Sequence, residues 1–137
     1  MSGLAVVDSG PLYAAADADD IDHESVVATL RRSDLRLVIP ALVVAEATSF
    51  VAGRLGPQAE AAFLRGRATF DVEGPSPEDL ERIAELVADY ADFPLGGTDA
   101  SVVALAERLR TTTVITLDRR HFLAVRPSHC ETFEVLP

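Results

Sequence analysis

Four acidic residues have the type and the spacing to form one metal-binding site, although they are far apart in the chain. We call them, taken together, the acidic cluster: Asp8, Glu46, Asp99 and Asp118. Such carboxylates cannot all stay ionised unaided, because two charges about 5 Å apart repel by roughly 3 kcal/mol at an effective dielectric of about 20. Hard divalent cations remove that repulsion, and oxygen-only ligands favour Mg²⁺ or Mn²⁺ over zinc. A site of this kind suits hydrolysis of a phosphodiester, since the ion activates a water and orients the phosphate.

Glu46 is the acidic residue with the most apolar surroundings, in the stretch 40–52. If this stretch is helical, residues three and four apart are neighbours, which puts it on one face with Leu42, Val43 and Phe50. That face is predicted to look inward, and a buried carboxylate without partners is so unfavourable that it tends to take up a proton. An arginine, a ring of amide donors or a metal ion must then compensate it, unless the side chain turns outward at the edge of its stripe.

Short apolar runs alternate with amphipathic stretches, which favours a parallel sheet covered by helices on both faces. The predicted strands are residues 4–7, 37–39, 69–73, 113–116 and 131–136. The predicted helices are residues 9–16, 25–32, 40 to the glycines at 53 and 56, 57–67, 77–90, 98–109 and 119–122. In the helix after Ser76, the apolar residues at helical spacing are predicted to be core: Leu80, Ile83, Ala84, Val87 and Tyr90.

This topology is predicted to bring the acidic cluster to one edge of the sheet. In an open α/β sheet, ligands bind beyond the carboxyl ends of the strands, near a switch in strand order. Asp8 and Asp118 each follow a predicted strand, and Asp99 begins a helix. Taken singly, these aspartates are also ordinary N-cap and first-turn residues. Their shared edge with an inward-facing glutamate favours the joint site.

The charge balance restricts how the protein can bind nucleic acid. Twelve basic residues, all of them arginine, stand against 22 acidic ones, for a net charge of −10. Bulk electrostatics is therefore not expected to bind nucleic acid, so metal ions must screen the carboxylates while arginines make local contacts. Arg119 and Arg120, beside Asp118, are candidates for gripping a phosphate, with a solvated helix start as the alternative.

Length and cysteine usage set the class of protein. A chain of 137 residues is expected to form one domain, residues 1–137. The lone cysteine, Cys130, excludes an internal disulfide and a cysteine-based zinc site, which fits a reducing cytoplasm. The sequence contains neither a secretory segment nor an apolar run that could span a bilayer, so no membrane partner is expected.

Four short motifs, in order, resemble the PIN domain. They are Val7-Asp8-Ser9, Val44-Ala45-Glu46, Thr98-Asp99-Ala100 and Thr116-Leu117-Asp118-Arg119-Arg120-His121-Phe122. More closely, the chain resembles the VapC-type toxins of bacterial toxin–antitoxin pairs, and the similarity spans its whole length, including Asp22-His23 and Arg126-Pro127. It departs from the family pattern at Gly10, where a small hydroxyl or amide is frequent, and at His121, where an acid is frequent.

The resemblance implies a fold, an activity and partners. The fold would be a PIN-like three-layer α/β/α sandwich with a central parallel sheet of about five strands. The activity would be that of an endoribonuclease that depends on Mg²⁺, with Mn²⁺ as a substitute. The partners would be RNA as substrate, a second copy of the chain in a homodimer, and a VapB-type antitoxin that blocks the site. DNA would be contacted only through that antitoxin.

The resemblance also assigns roles to individual residues. The whole acidic cluster would be catalytic and metal-binding, with Asp8 and Asp99 as the firmest ligands. Ser9 and Thr116 would be supporting hydroxyls. The two departures remove no ligand, so they concern only the surroundings of the site.

Three other functions are compatible with parts of this pattern. A PIN-like module could bind RNA or protein without catalysis, although retention of the whole acidic cluster disfavours this. A phospho-accepting receiver module requires adjacent acids after the first strand and a late lysine, whereas this chain has Asp8 alone and no lysine. A phosphatase with an aspartate nucleophile usually has a second aspartate two residues on, where Gly10 stands. A shift in melting temperature with divalent ions would support the metal site.

Overall fold

Within residues 3–67 and 70–137, which the computed structural model describes, five parallel strands form one sheet. The strands are β1 (Gly3–Val7), β2 (Leu35–Pro40), β3 (Asp71–Glu73), β4 (Thr113–Ile115) and β5 (Glu134–Leu136). Their order in the sheet is β3-β2-β1-β4-β5, and every neighbouring pair is parallel. The predicted parallel sheet is confirmed. Thr69, the predicted first residue of the third strand, lies outside the described residues.

Helices cover both faces of the sheet. They are α1 (Ser9–Ala16), α2 (His23–Leu30), α3 (Ala41–Leu55), α4 (Pro57–Arg67), α5 (Pro77–Asp89), α6 (Gly97–Leu109) and α7 (Arg119–Ala124). Helix α1 packs against α2 and α3, and α3 packs against α4, whereas α5 packs against α6. Parallel crossovers are right-handed and the chain crosses back over the sheet after β3, so α1–α4 lie on one face and α5–α7 on the other. This is the predicted three-layer sandwich.

The central strands and α6 are buried on all sides. In β1, Ala5, Val6 and Val7 are 0% exposed, because a parallel strand covered on both faces has no polar side. Every residue of α6 from 100 to 106 is also buried. The reason is that α6 packs against α3, α5 and the strands β1, β2 and β4. Among the described residues, no helix is both long and apolar enough to cross a membrane.

The stripe predicted for α5 is only partly correct. Ile83 is buried, but Leu80 is 52% and Val87 is 38% exposed. Asp79 takes an inward position instead, because its carboxylate accepts from the N-cap backbone and from Arg108 Nε of α6, the latter at 2.9 Å. These polar bonds fix the rotation of the helix, so part of its apolar surface stays outside.

Helix α3 follows β2 without a loop, which sets the height of Glu46 above the edge of the sheet. Pro40 is both the last residue of β2 and the N-cap of α3. Of the two glycines predicted to end this helix, Gly53 lies inside it and Gly56 forms the C-cap with a φ of +89°. Side chains other than glycine rarely adopt such a value, so Gly56 supplies the stop.

Glu107, near the end of α6, connects this helix to α5 and to the segment that contains Ser128. Its carboxylate accepts from Arg82 Nε at 2.8 Å, from Arg82 Nη2 at 3.0 Å and from the Ser128 N–H at 2.8 Å. The Glu107 side chain is only 8% exposed, so Glu107→Ala leaves a guanidinium and an amide without their partner. We expect this variant to lose about 2 kcal/mol in the free energy of unfolding, measured in urea.

Glu85→Ala is the matched control for that prediction. Glu85 pairs with the same Arg82, but its side chain is 51% exposed. Because water screens such a pair, we expect a loss below about 0.5 kcal/mol. Equal losses in the two variants would show that Glu107 does not hold these segments together.

Candidate functional site

The acidic cluster lies where the order of the strands reverses. Strand β1 pairs with β2 on one side and with β4 on the other. The chain leaves β1 toward β2 and returns to β4 only after β3, which makes the gap between β1 and β4 the switch point at which α/β sheets bind ligands. Asp8 directly follows β1, and Asp118 comes shortly after β4.

Asp8 is the most deeply buried carboxylate of the cluster. It is 4% exposed and caps α1. Its Oδ1 accepts from the Ser9 N–H at 2.8 Å, and its Oδ2 accepts from the Thr116 hydroxyl at 2.8 Å. Burial raises the pKa of Asp8, and the nearby charges of Glu46 and Asp118 raise it further, against the lowering effect of these two bonds.

Thr116 joins two members of the cluster. It is 1% exposed. Its hydroxyl donates to Asp8 Oδ2 and accepts from the Asp118 N–H at 2.9 Å. A hydroxyl suits this position because it can donate and accept at the same time. Thr116 therefore fixes the distance between the ends of β1 and β4 on the side where the carboxylates lie.

Ser9 joins Glu46 to the same group, since its Oγ donates to Glu46 Oε1 at 2.6 Å. The inward face predicted for α3 is wrong in part. Phe50 is 38% exposed, and Glu46 is half-buried at the border of the stripe. The buried residues of α3 are Val43, Ala47 and Val51. Because a carboxylate at this border keeps contact with water, one hydrogen bond from the described residues, that of the Ser9 hydroxyl, is enough to stabilise the charge of Glu46.

Asp99 is the member that the protein supports least. It lies in the first turn of α6, and the described residues supply no hydrogen bond to its carboxylate. Partial burial, followed by the charges of Asp8 and Asp118, raises the pKa of Asp99 to about 6. The nearby His121 acts in the opposite direction but leaves the pKa of Asp99 raised.

This shift predicts how the metal-free protein responds to pH. Because the pKa of Asp99 is raised from 3.8 to about 6, the folded state keeps a proton that the unfolded state releases, and stability falls as pH rises through this interval. We expect a loss on the order of 1–3 kcal/mol, with partial exposure reducing the full linkage value. Asp8 acts in the same direction.

Urea unfolding in excess chelator, at about pH 5 and about pH 7.5, measures the effect. Asp99→Asn cannot ionise, so it should be more stable than the wild type at the higher pH and should remove much of the pH dependence. An unchanged pH dependence in this variant would mean that Asp99 does not carry the uncompensated charge.

The structure brings His121, a departure from the family pattern, into the site. His121 Nδ1 lies 2.6 Å from Asp118 Oδ2, and the His121 backbone N–H donates to Asp118 Oδ1 at 3.1 Å. Asp99, Asp118 and His121 each offer one ligand atom, and these atoms lie within 4.8 Å of one another. The spacing of three residues at the start of α7 is the signal that could have placed His121 beside Asp118.

The cluster as a whole carries charge that no arginine of the described residues neutralises. The charges of Asp8, Asp118 and Glu46 all act on Asp99, so the four carboxylates converge. Within the part of the chain that the structure describes, the arginine ion pairs go to carboxylates outside the cluster. Converging oxygen donors to which no arginine is paired fit a hard divalent ion such as Mg²⁺ or Mn²⁺.

The two arginines predicted to contact phosphate differ in their surroundings. Both are exposed. Arg119 Nη1 donates to the Val135 carbonyl of β5 at 3.5 Å, whereas the Arg120 guanidinium lies 5.2 Å from the centre of the Phe93 ring. The Phe93 ring in turn lies 4.8 Å from that of His121. The structure therefore places Arg120 at the border of the site and directs Arg119 toward β5.

Similarity to known proteins extends over nearly the whole chain. A family model of the PIN domain matches residues 5–126. Ribonuclease VapC26 from Mycobacterium tuberculosis is 40% identical over 134 residues, which cover 96% of this chain and 99% of that relative. The chain is a VapC-type member of the PIN domain family.

Solved structures share the PIN fold. One is VapC20 from Mycobacterium tuberculosis, a sarcin-ricin loop cleaving toxin, with a TM-score of 0.82 and 18% identity over 97% of this chain and 99% of that chain. Another is VapBC2 from Rickettsia felis, bound to a DNA fragment from its promoter, with a TM-score of 0.70 and 14% identity over 98% of this chain and 99% of that chain. At these identities, the similarity shows that this chain has the same fold as the solved structures.

Proposed function

We propose that this PIN chain is a metal-dependent endoribonuclease and the toxin of a toxin–antitoxin pair. The observation that carries the proposal is the convergence of the acidic cluster at the switch point of the sheet, with no arginine paired to it among the described residues. The relative named as a ribonuclease and the solved toxin that cleaves the sarcin-ricin loop support RNA as the substrate.

Hydrogen bonds from the protein hold three of the carboxylates in position, those of Asp8, Glu46 and Asp118. We assign Asp8 and Asp99 as the firmest metal ligands, with the other two members of the cluster completing the pocket. When bound there, Mg²⁺ or Mn²⁺ would supply an activated water and neutralise charge on the scissile phosphate. Ser9 and Thr116 act as supporting hydroxyls, because one orients Glu46 and the other orients Asp8. Groups fixed in advance need no reorganisation when charge develops in the transition state.

Cleavage is expected to require the metal. Incubation of an unstructured RNA with the protein and Mg²⁺ or Mn²⁺ should give products on a denaturing gel, excess chelator should stop the reaction, and added Mg²⁺ should restore it. Asp99→Asn, purified in parallel, controls for contaminating ribonuclease. Equal activity in excess chelator would contradict the metal mechanism. RNA binding without cleavage in either metal would favour the alternative, a PIN module that only binds RNA or protein.

The proposal includes partners and a setting. A VapB-type antitoxin is the expected inhibitor, which the complex of VapBC2 with promoter DNA supports, and DNA would be reached only through that antitoxin.

The chain would work as one domain, residues 1–137, in the cytoplasm and as a homodimer. The exposed Leu80 and Val87 of α5 offer an apolar surface for a second copy. Light scattering of the wild type and Leu80→Glu tests the dimer.

A further inference from the structure

A line of three residues leads away from the acidic cluster along α3. Glu46, Phe50 and Arg54 are spaced four residues apart, so their side chains follow one another on the same side of the helix. At 1.5 Å of rise per residue the line is about 12 Å long. Phe50 is 38% exposed and Arg54 is exposed. An apolar ring and a cation therefore face solvent directly beside the proposed catalytic site.

Arg54 lies against two aromatic rings. Its guanidinium carbon is 5.4 Å from the centre of the Phe50 ring and 4.9 Å from that of the Tyr13 ring. Tyr13 is 8% exposed, and its hydroxyl donates to Asp17 Oδ2 at 2.6 Å. It is therefore the buried, fixed ring against which the Arg54 guanidinium lies. The nearby charge of Arg54 acts to lower the pKa of Tyr13 and of Asp17, but the described residues give Arg54 no ion pair within 4.0 Å, in contrast to the ion-paired arginines elsewhere. Those are Arg32, Arg36, Arg82 and Arg108.

A second pair of the same kind lies at the other end of the cluster. Hydrogen bonds connect Glu46 through Ser9 to Asp8, and Thr116 connects Asp8 to Asp118. Beyond Asp118 come His121 and then the Phe93 ring with Arg120 over it. Arg120 likewise makes no ion pair among the described residues. An aromatic ring with a guanidinium that makes no ion pair within the described part of the chain therefore stands at each end of the acidic cluster.

We infer that these two pairs, Phe50 with Arg54 and Phe93 with Arg120, bind nucleotides of single-stranded RNA on either side of the phosphate that is cleaved. This rests on the proposed function. Every base has a π face, so a ring can stack on it whatever the sequence, and a guanidinium can hold the adjoining phosphate. A chain with a net charge of −10 needs such local contacts, because its overall field repels RNA. Duplex RNA keeps its bases stacked inside and cannot use them.

Fluorescence anisotropy with a labelled, unstructured RNA tests the inference. The buffer contains Ca²⁺ to neutralise the carboxylates, and gels verify that the probe stays intact. We expect Phe50→Leu and Arg54→Ala each to weaken binding about tenfold, since the first removes the ring on which a base stacks and the second removes the guanidinium that holds the adjoining phosphate. Phe50→Tyr should bind like the wild type. Arg54→Ala should also lower the slope of log affinity against log salt by about 0.7, the value for one phosphate contact on a single strand.

Variants of the second pair, Phe93→Leu and Arg120→Ala, should behave in the same way. The double variant Leu64→Ala with Arg65→Ala is the matched control, because it removes an exposed apolar side chain and one positive charge from α4. We expect it to bind RNA like the wild type. The same RNA annealed to its complement should bind more weakly than the single strand and should not distinguish Phe50→Leu from the wild type.

Unchanged affinity in Phe50→Leu and Arg54→Ala would overturn the inference, as would an equal loss in the control variant. Loss of antitoxin binding with RNA binding intact would identify this surface as a protein-docking site instead. The proposed function fails separately: a wild type that binds RNA through these residues but cleaves none in Mg²⁺ or Mn²⁺ would leave the inference standing. Full cleavage activity in Phe50→Leu, Arg54→Ala, Phe93→Leu and Arg120→Ala would contradict the inference and leave the proposed function standing.

Discussion

Asp99→Asn and Asp8→Asn are each expected to lower the rate of RNA cleavage in Mg²⁺ at least ~100-fold, as the loss of an essential electrostatic group does. Asparagine keeps the shape of the side chain but removes its charge. Asp99→Asn is the cleaner of the two variants, because the described residues make no hydrogen bond to that carboxylate that the change could break. Asp8→Asn places an amide against the Thr116 hydroxyl or the Ser9 N–H, so it also disturbs the support of the site.

Asp89→Asn is the matched control for these variants. Asp89 is an exposed residue at the end of α5 and lies outside the acidic cluster. It should keep the cleavage rate of the wild type, and all three variants should show the circular dichroism of a folded protein. Near-normal cleavage by either Asp8→Asn or Asp99→Asn would show that the ligands have been assigned wrongly.

Inhibition by a cognate antitoxin is expected to weaken as Mg²⁺ rises. A metal-free acidic pocket is a receptor for a guanidinium, which makes paired, charge-assisted bonds to carboxylates. We propose that an arginine from the antitoxin enters the acidic cluster and competes there with the ion. Raising Mg²⁺ to about 100 times its dissociation constant should then weaken the inhibition about 100-fold, as competition for one site requires.

Titration of cleavage with antitoxin at a series of Mg²⁺ concentrations measures this competition. An antitoxin in which that arginine is replaced by alanine should still bind through its apolar segment, but it should inhibit poorly and independently of Mg²⁺. Inhibition that is indifferent both to Mg²⁺ and to every arginine of the antitoxin tail would mean that the block is purely steric.

The parts of the fold that depend on neighbouring residues in the chain could be predicted from the sequence. Residues 4–7 form an apolar run that becomes β1, since a strand buried on both faces needs no alternation. The capping residues Ser76 and Asp79 mark the start of α5, and both bonds of the capping box are present. Because carboxyl ends of parallel strands share an edge, the approach of Asp8 to Asp118 followed from the same local patterns.

The rotation of helices about their axes could not be predicted in the same way. Most residues of α3 are apolar, so several faces could look inward, and only the packing partners decide among them. The structure turns Val51 inward and leaves Phe50 at the surface. In α5 a polar residue, Asp79, faces α6 because Arg108 binds it. Both errors come from treating apolar residues as buried without knowing the neighbouring helix.

The connections within the site also lie beyond local patterns. The bond from Ser9 to Glu46 spans 37 positions of the chain, and the bond from Thr116 to Asp8 spans 108. Only the family resemblance suggested these hydroxyls as supporting groups. The resemblance did not suggest a supporting role for His121, because this histidine stands where the family often has a negatively charged acid. Its position became clear only when α7 placed it against Asp118 and Phe93.

Direct binding of Mn²⁺, followed by electron paramagnetic resonance, tests the central claim that the acidic cluster is a metal site. Free Mn²⁺ gives a signal that is lost on binding, so the titration needs no RNA and no activity. We expect saturable binding by the wild type that Mg²⁺ displaces, affinity at least about tenfold weaker in Asp8→Asn and in Asp99→Asn, and unchanged affinity in Asp89→Asn. Binding of equal affinity in the wild type and both cluster variants would contradict the claim.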